Sequence, residues 1–537
     1  MKSRNSILKE TTMRYLNTLD TTNPPTASTI ESELLTMIKD EFEIENSVKP
    51  NGEKWKIPKN LSFAQIADII ATLYPVCKIS CAGKNVDPDY DLLAIYQTSG
   101  DNEGIYVTSE DAFRMIARQY HHTLTSHDFK EILFVLRDIV PRKSRCENPD
   151  LIAVNNGIFD YKSKQLLPFT PDLIFLSKSH VNYNPNATNV TLHNTEDNTD
   201  WDIESWMNDL SDDPEITNLL WEILGAIIRP NVRWDKSAWF YSETGNNGKG
   251  TLCELMRNLC GAGAYASIPL ADFGKDFLLE PLTTASAIIV DENDVGLFVD
   301  KAANLKAIIT NDVIQINRKF KTPIAYQFFG FMVQCLNEFP RVKDKSDSFY
   351  RRQLFIPFNK SFTGHERKYI KNDYLHRPDV LEYVLYKVLN MNYYTLSEPT
   401  ACCDILNQYK EFNDPVRQFC EEILPQCQWD LLPFSFLYDL YKSWFKKNSP
   451  SGSPQGRNTF IVDLLKVLQN SKTWYCSDKN SKVWTGQKMS KPEPLILQYD
   501  LTDWKNPIYS YLGADKSKIC TPALLDSYRG VQRYTTP

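Results

Sequence analysis

The chain has 537 residues, too many for one hydrophobic core, so several domains are expected. Its 42% hydrophobic and 24% charged residues fit an ordinary soluble protein. A run of about eighteen or more apolar residues, as a membrane-spanning helix needs, is absent. The N-terminal MKSRNSILKETTMRYL lacks the apolar stretch of a signal peptide. A net charge of −7 excludes a protein that coats nucleic acid over its whole surface but leaves room for a local basic channel.

Residues 1–60 are polar, with TTNPPTAST and DEFEIEN stretches, and read as a weakly ordered arm with one helix near Ile30–Ile38, the arm region running to 85. From 86 to 228, DLLAIYQT and EGIYVTS predict strands, and SEDAFRMIARQY and SHDFKEILFVLRDI predict amphipathic helices. NPDLIAVNNGIFDYKSKQLLPFTPD predicts a small sheet around an Asn-Gly turn, and the Asn/Thr/Pro-rich 183–200 reads as a linker before helices in 201–228. Strands and helices alternate from 237 to 358. A polar stretch near 360–380 leads to a helical, aromatic-rich C-terminal part. The twelve cysteines form no C-x-x-C pair. Cys77 and Cys81 are spaced C-x3-C without a second pair, and buried free thiols in a reducing cytoplasm are expected.

SAWFYSET leads through GNNGKGT into LCELMRNL, an apolar strand, a glycine-rich turn and a helix with Leu252, Leu255, Met256 and Leu259 on one face. Gly245, Gly248 and Gly250, with Asn246 and Asn247 between them, allow backbone amides to converge on phosphate oxygens. Lys249 would reach the terminal phosphates, and the Thr251 hydroxyl would bind Mg²⁺. Glu243 stands where the usual pattern has its first glycine, and Gly250 follows the lysine where Ser or Thr is usual. The same GKGT occurs in nucleotide kinases, which keeps a phosphotransferase as an alternative.

Further on, ASAIIVDEND is an apolar strand ending in Asp291 and Glu292. One carboxylate there can hold Mg²⁺ and the next can polarise a water, although a strand ending in a polar turn is common. FFGFMVQCLNEFP ends a strand at Asn337, whose amide can bond a terminal phosphate and water or merely cap a turn before Pro340. SDSFYRRQLFIPF presents Arg351 and Arg352 before a strand, as solvated side chains or as a finger for transition-state charge.

The order GNNGKGT, VDEND, QCLNEFP, YRRQLFIPF resembles the superfamily 3 helicases of the poxvirus and phage/plasmid primase-associated type. The likeness extends over roughly residues 90–490 and includes DPVRQFCEEIL, FSFLYDLYKSWFKKN and NTFIVDLLKVLQ. Between the second and third motifs, LKAIITNDVIQINRKFKTPIAYQF looks like the family's channel hairpin, with Arg318, Lys319 and Lys321 around Phe320 to grip single-stranded DNA. A solvated basic turn is the alternative.

The resemblance implies a multidomain α/β protein. An arm (1–85) and a mainly helical domain (86–228) precede an AAA+-like P-loop ATPase core of parallel sheet flanked by helices (229–375). A C-terminal helical/winged-helix domain (376–490) and a tail (491–537) follow. In the winged helix, Leu437, Leu440, Tyr441 and Trp444 are expected in the core. The implied activity is ATP- and Mg²⁺-dependent unwinding of DNA by a homo-oligomeric ring, a hexamer moving 3′ to 5′. Lys249, Thr251, Asp291, Glu292 and Asn337 would act from one subunit, and Arg351 or Arg352 from the next. A separate primase or polymerase is the implied partner, and a bacterial host cytoplasm the setting if the chain belongs to a phage or mobile element. No zinc ribbon or primase-type aspartate pair stands ahead of the helical domain. A helicase-primase, or an initiator working through the winged helix, is the other alternative.

Overall fold

A computed structural model describes residues 3–83, 87–319, 321–448, 454–469, 471–509, 511 and 513–534. The chain divides into two compact units, residues 1–406 and 407–537.

The first unit opens on three helices, Arg4–Leu16, Ala27–Ser47 and Phe63–Leu73. Ser3, Thr26 and Ser62 each accept a first-turn amide, and Ser62 forms a reciprocal cap with Gln65. Ile30, Leu34, Ile38 and Phe42 recur every fourth residue and are fully buried. They share a core with Phe113 of the Glu110–Tyr120 helix and Phe129 of the Ser126–Ile139 helix. The weakly ordered arm expected over 1–85 is thus corrected. Its apolar face is buried against residues beyond 85, a partner that local composition does not reveal.

The region expected to be mainly helical, 86–228, also carries much sheet. Strands Tyr106–Val107, Leu92–Tyr96, Val76–Ser80 and Arg142–Ser144 form one sheet in that order, antiparallel except for the last pair. Leu151–Val154, Gly157–Asp160 and Gln165–Leu167 form an antiparallel sheet at the predicted Asn-Gly turn. The linker expected at 183–200 instead contributes the pair Leu192–Asn194 and Thr199–Trp201. Its polar side chains serve as ties: Asn184 donates to Glu382 at 3.0 Å and Asn189 to Asp202 at 2.7 Å. Helices Ile203–Asp209 and Pro214–Ile228 follow as expected.

The centre of this unit is a parallel sheet ordered Tyr265–Ala266, Ala287–Val290, Phe331–Leu336, Ser237–Tyr241 and Gln353–Pro357. Ala287–Val290, Phe331–Leu336, Ser237–Tyr241 and Gln353–Pro357 are buried at every position, as a sheet covered on both faces requires. Helices Pro214–Ile228, Lys249–Cys260 and Pro378–Asn390 share one core with it. The Pro378–Asn390 helix therefore belongs to the first unit, not to a C-terminal domain beginning at 376.

The second unit has helices Pro415–Ile423, Phe434–Asn448 and Arg457–Leu468 around an antiparallel sheet. In that sheet Gly530–Arg533 lies between Leu431–Pro433 and Trp474–Tyr475. Leu437, Leu440, Tyr441 and Trp444 are in its core, as expected. The region expected as a tail, 491–537, is corrected over its described residues, which supply the central strand and the buried Glu493 that accepts the Gln428 and Trp429 amides. No helix among the described residues is long and apolar enough to cross a membrane.

Candidate nucleotide-binding edge

The carboxyl end of the central sheet gathers the candidate residues. Tyr241 lies opposite Leu336, and Val290 opposite Gln334, so Ser242, Asp291 and Asn337 leave neighbouring strand ends together. In open parallel sheets ligands bind outside this edge. The Phe331–Leu336 strand separates the phosphate-loop strand from the acidic one, which places Asn337 between them.

Gly248 caps the Lys249–Cys260 helix with φ +89°, and a Cβ there would lie 2.6 Å from Leu210 Cδ2. Only glycine suits both constraints. Asn246 turns the chain with φ +52°. Buried Asn247 braces the loop from within, donating to Thr244 O and accepting the Lys249 amide at 3.3 Å. The first intrahelical bond runs from Leu252 N to Gly248 O, 2.9 Å, so the Gly250 and Thr251 amides lack intrahelical acceptors.

Lys249 is 6% exposed. Its ammonium donates to Asn337 Oδ1 at 2.8 Å, Leu336 O at 3.0 Å and Ser242 O at 3.4 Å. None of these acceptors is a carboxylate. Burial accordingly holds its pKa below the usual lysine value. A buried cation without a carboxylate partner, at the positive end of a helix, has the chemistry to attract an anion.

Asp291 is held by Arg257, with Nη2 to Oδ1 at 2.9 Å and Nη1 to Oδ2 at 3.2 Å. That contact, with the Lys371 charge adding to it, keeps its carboxyl ionised below the ordinary aspartate range. Glu292 is exposed and has no partner among the described residues. Sequence reasoning missed Arg257, a lone cation two turns into an otherwise apolar helix face. It also missed Asn293, buried under the acidic strand end and donating to Gln334 Oε1 and Cys335 O.

The other candidates lie elsewhere. Arg351 and Arg352 precede Gln353–Pro357, whose Gln353 pairs with Ser237, so they stand at the amino edge of the same sheet. Arg352 donates to Ser348 O and Oγ, while Arg351 is exposed and unpartnered among the described residues. The hairpin forms from Val313–Arg318 and Lys321–Gln327. Arg318 folds back onto Thr322 O at 2.8 Å, and Lys321 lies 3.4 Å from Glu110. Arg318 and Lys321 also wall a cleft of about 640 Å³ with Glu110 and Arg137. Phe320, expected at the tip beside Lys319, lies outside the described residues.

Fold and edge together define a mixed α/β protein whose parallel sheet carries a glycine-rich loop. Three stretches match known domain families: D5 N terminal like over 103–223, a family of unknown function (DUF5906) over 240–352, and Poxvirus D5 protein-like over 411–506. The D5-type models over 103–223 and 411–506 support the resemblance to the superfamily 3 helicases of the poxvirus and primase-associated type. Among solved structures, the apo NrS-1 C terminal region (305–718) matches with 12% identity and a TM-score of 0.39, covering 76% of this chain and 89% of that one. An A form of the same region gives 14%, 0.40, 76% and 89%. A JCV helicase bound to an aryl acetamide gives 14%, 0.25, 44% and 62%. No curated protein sequence matches.

Proposed function

We propose that this chain is an ATP-driven DNA helicase that works as a ring, with ATP bound at the carboxyl edge of the central sheet. The observation that carries the reading is the buried Lys249 ammonium, bonded to Asn337 and two backbone carbonyls with no carboxylate to balance it. A terminal phosphate supplies the missing charge. Asn337 then contacts both the lysine and the phosphate, and the free Glu292 is the base for the attacking water.

Thr251 and Asp291 fit a Mg²⁺ ion, since Asp291 is ionised and Mg²⁺ is usually held by one or two protein groups plus substrate phosphates. When bound, that ion neutralises charge on the phosphates. Arg351 acts on the nucleotide of a neighbouring copy. A five-residue strand spans about 16 Å, too far for Arg351 to reach the phosphate loop of its own chain. Leaving aside the short elements inserted between Trp474–Tyr475 and Gly530–Arg533, the order helix, strand, helix, helix, strand, strand, with the last strand in the middle, supports the winged-helix reading of the second unit. Residues 407–537 hold 17 Lys and Arg against 13 Asp and Glu, whereas residues 1–406 hold 43 against 54. That asymmetry favours DNA contact by the second unit.

The test is ATP hydrolysis with and without single-stranded DNA, beside strand displacement on forks with 3′ or 5′ tails. The expected result is DNA-stimulated hydrolysis and ATP-dependent displacement, preferring a 3′ tail, with both lost in Lys249→Ala. A Lys249→Ala protein that hydrolyses ATP at the parent rate would sink the proposal.

A further inference from the structure

The chain that follows the last central strand folds back over the phosphate loop. The Phe362 amide donates to Asn246 O at 2.7 Å, and Asn246 Nδ2 donates to Glu366 Oε1 at 3.0 Å. Lys360 pairs with Asp212 at 2.8 Å, and Asn258, on the helix that follows the loop, donates to Leu375 O at 2.9 Å. Between this strap and the loop lies a cavity of about 530 Å³. Gly248 and Thr251 form one wall, and Trp206, Phe362 and Ile370 give it an apolar side. That volume is within the range of nucleotide-sized pockets.

Lys371, on the short Lys368–Asn372 helix, lines the same cavity. A Cβ placed on Gly250 would lie 4.0 Å from its Nζ. Half-buried, it makes no ion pair among the described residues, although its charge reaches Asp291. The helix N-terminus and the Lys371 ammonium thus face one cavity, with Asp209 and Glu366 also in its lining. A nucleoside triphosphate bound with one divalent cation still carries about two negative charges, and Lys249 matches only one of them.

We propose that Lys371 is a second phosphate-binding residue, its ammonium donating to a phosphate oxygen of the nucleotide whose terminal phosphate Lys249 holds. The inference rests on the phosphate-loop reading above. It adds a contact from outside the loop, carried by a strap that closes one side of the cavity. Nucleotide then joins strap to loop, and Lys371 reports whether the phosphate chain is in place.

Equilibrium binding of a fluorescent ATP analogue to the full chain tests this, with melting curves run alongside. Lys371→Gln is expected to weaken binding about tenfold or more, as loss of a charge-assisted hydrogen bond does. Lys371→Arg, which keeps the charge, stays within about threefold of the parent. Lys371→Ala serves as a second neutral variant should the Gln form melt early. If the neutral variants bind as tightly as the parent while Lys249→Ala has lost binding, the role of Lys371 is overturned and the loop reading stands. If Lys249→Ala also binds like the parent, the loop reading fails and takes Lys371 with it.

Discussion

Cations at the carboxyl edge of the central sheet and cations of the hairpin live in opposite circumstances. Lys249 is buried with only neutral acceptors, and Lys371 faces the cavity beneath the strap without an ion pair among the described residues. In the hairpin, Arg318 is folded onto Thr322 O and Lys321 sits beside Glu110. In one region the cations meet neutral acceptors or no ion-pair partner, whereas the other already answers part of its own charge from within. Under the proposed function the nucleotide edge is preformed, and the hairpin must exchange internal contacts for DNA phosphates.

The strongest way to break this contrast uses the third pair of cations. Arg351 is exposed and unpartnered among the described residues, while Arg352 is engaged by Ser348. Arg351→Ala should therefore lower ATP hydrolysis about a thousandfold with ATP affinity kept. Arg352→Ala should act mainly on the melting temperature. Equal effects on steady-state hydrolysis would erase the distinction between free and engaged arginines. Glu292→Gln comes next, with an expected loss of about a hundredfold in hydrolysis and little change in binding, since the cations that hold phosphate are untouched. Rapid-quench kinetics separate the two steps, and a normal hydrolysis step would remove Glu292 from the chemistry.

A pH series sharpens the comparison further. Burial lowers the Lys249 pKa in the free protein, and a bound phosphate stabilises its charged form. Affinity for ATP should therefore fall as pH rises through that lowered value, by up to about tenfold per unit, with proton uptake on binding. A pH-independent dissociation constant between pH 7 and 10 would contradict it. The smallest effect belongs to Glu110→Ala, which frees Lys321. Exposed pairs contribute about 0–1 kcal/mol, so stability should barely move, and affinity for single-stranded DNA at low salt should rise about two- to threefold.

The candidate edge was legible because its signals are local. A strand, a glycine turn and an apolar helix face are each visible within a few residues, and the acidic and Asn-tipped strand ends recur in order. Arg257 and Lys371 were not legible, because their meaning comes from a neighbour far along the chain: Asp291 for one and Gly250 for the other. The packing of the N-terminal helices, of which only the one near Ile30–Ile38 was expected, escaped for a related reason. Their Ile30–Phe42 stripe lies in a polar surround and finds its partner, Phe113 and Phe129, only in three dimensions. Residues 183–200 show the reverse error, since the side chains of Asn184, Asn189 and Asn194 are spent on specific hydrogen bonds instead of on water.

The sheet places its phosphate loop at one edge and its paired arginines at the other. On the proposed reading each copy therefore carries two unlike halves of a site and completes neither alone. Activity then becomes a property of encounters. Turnover per molecule should climb with protein concentration and collapse on dilution, so an assay run too dilute would find an intact enzyme silent.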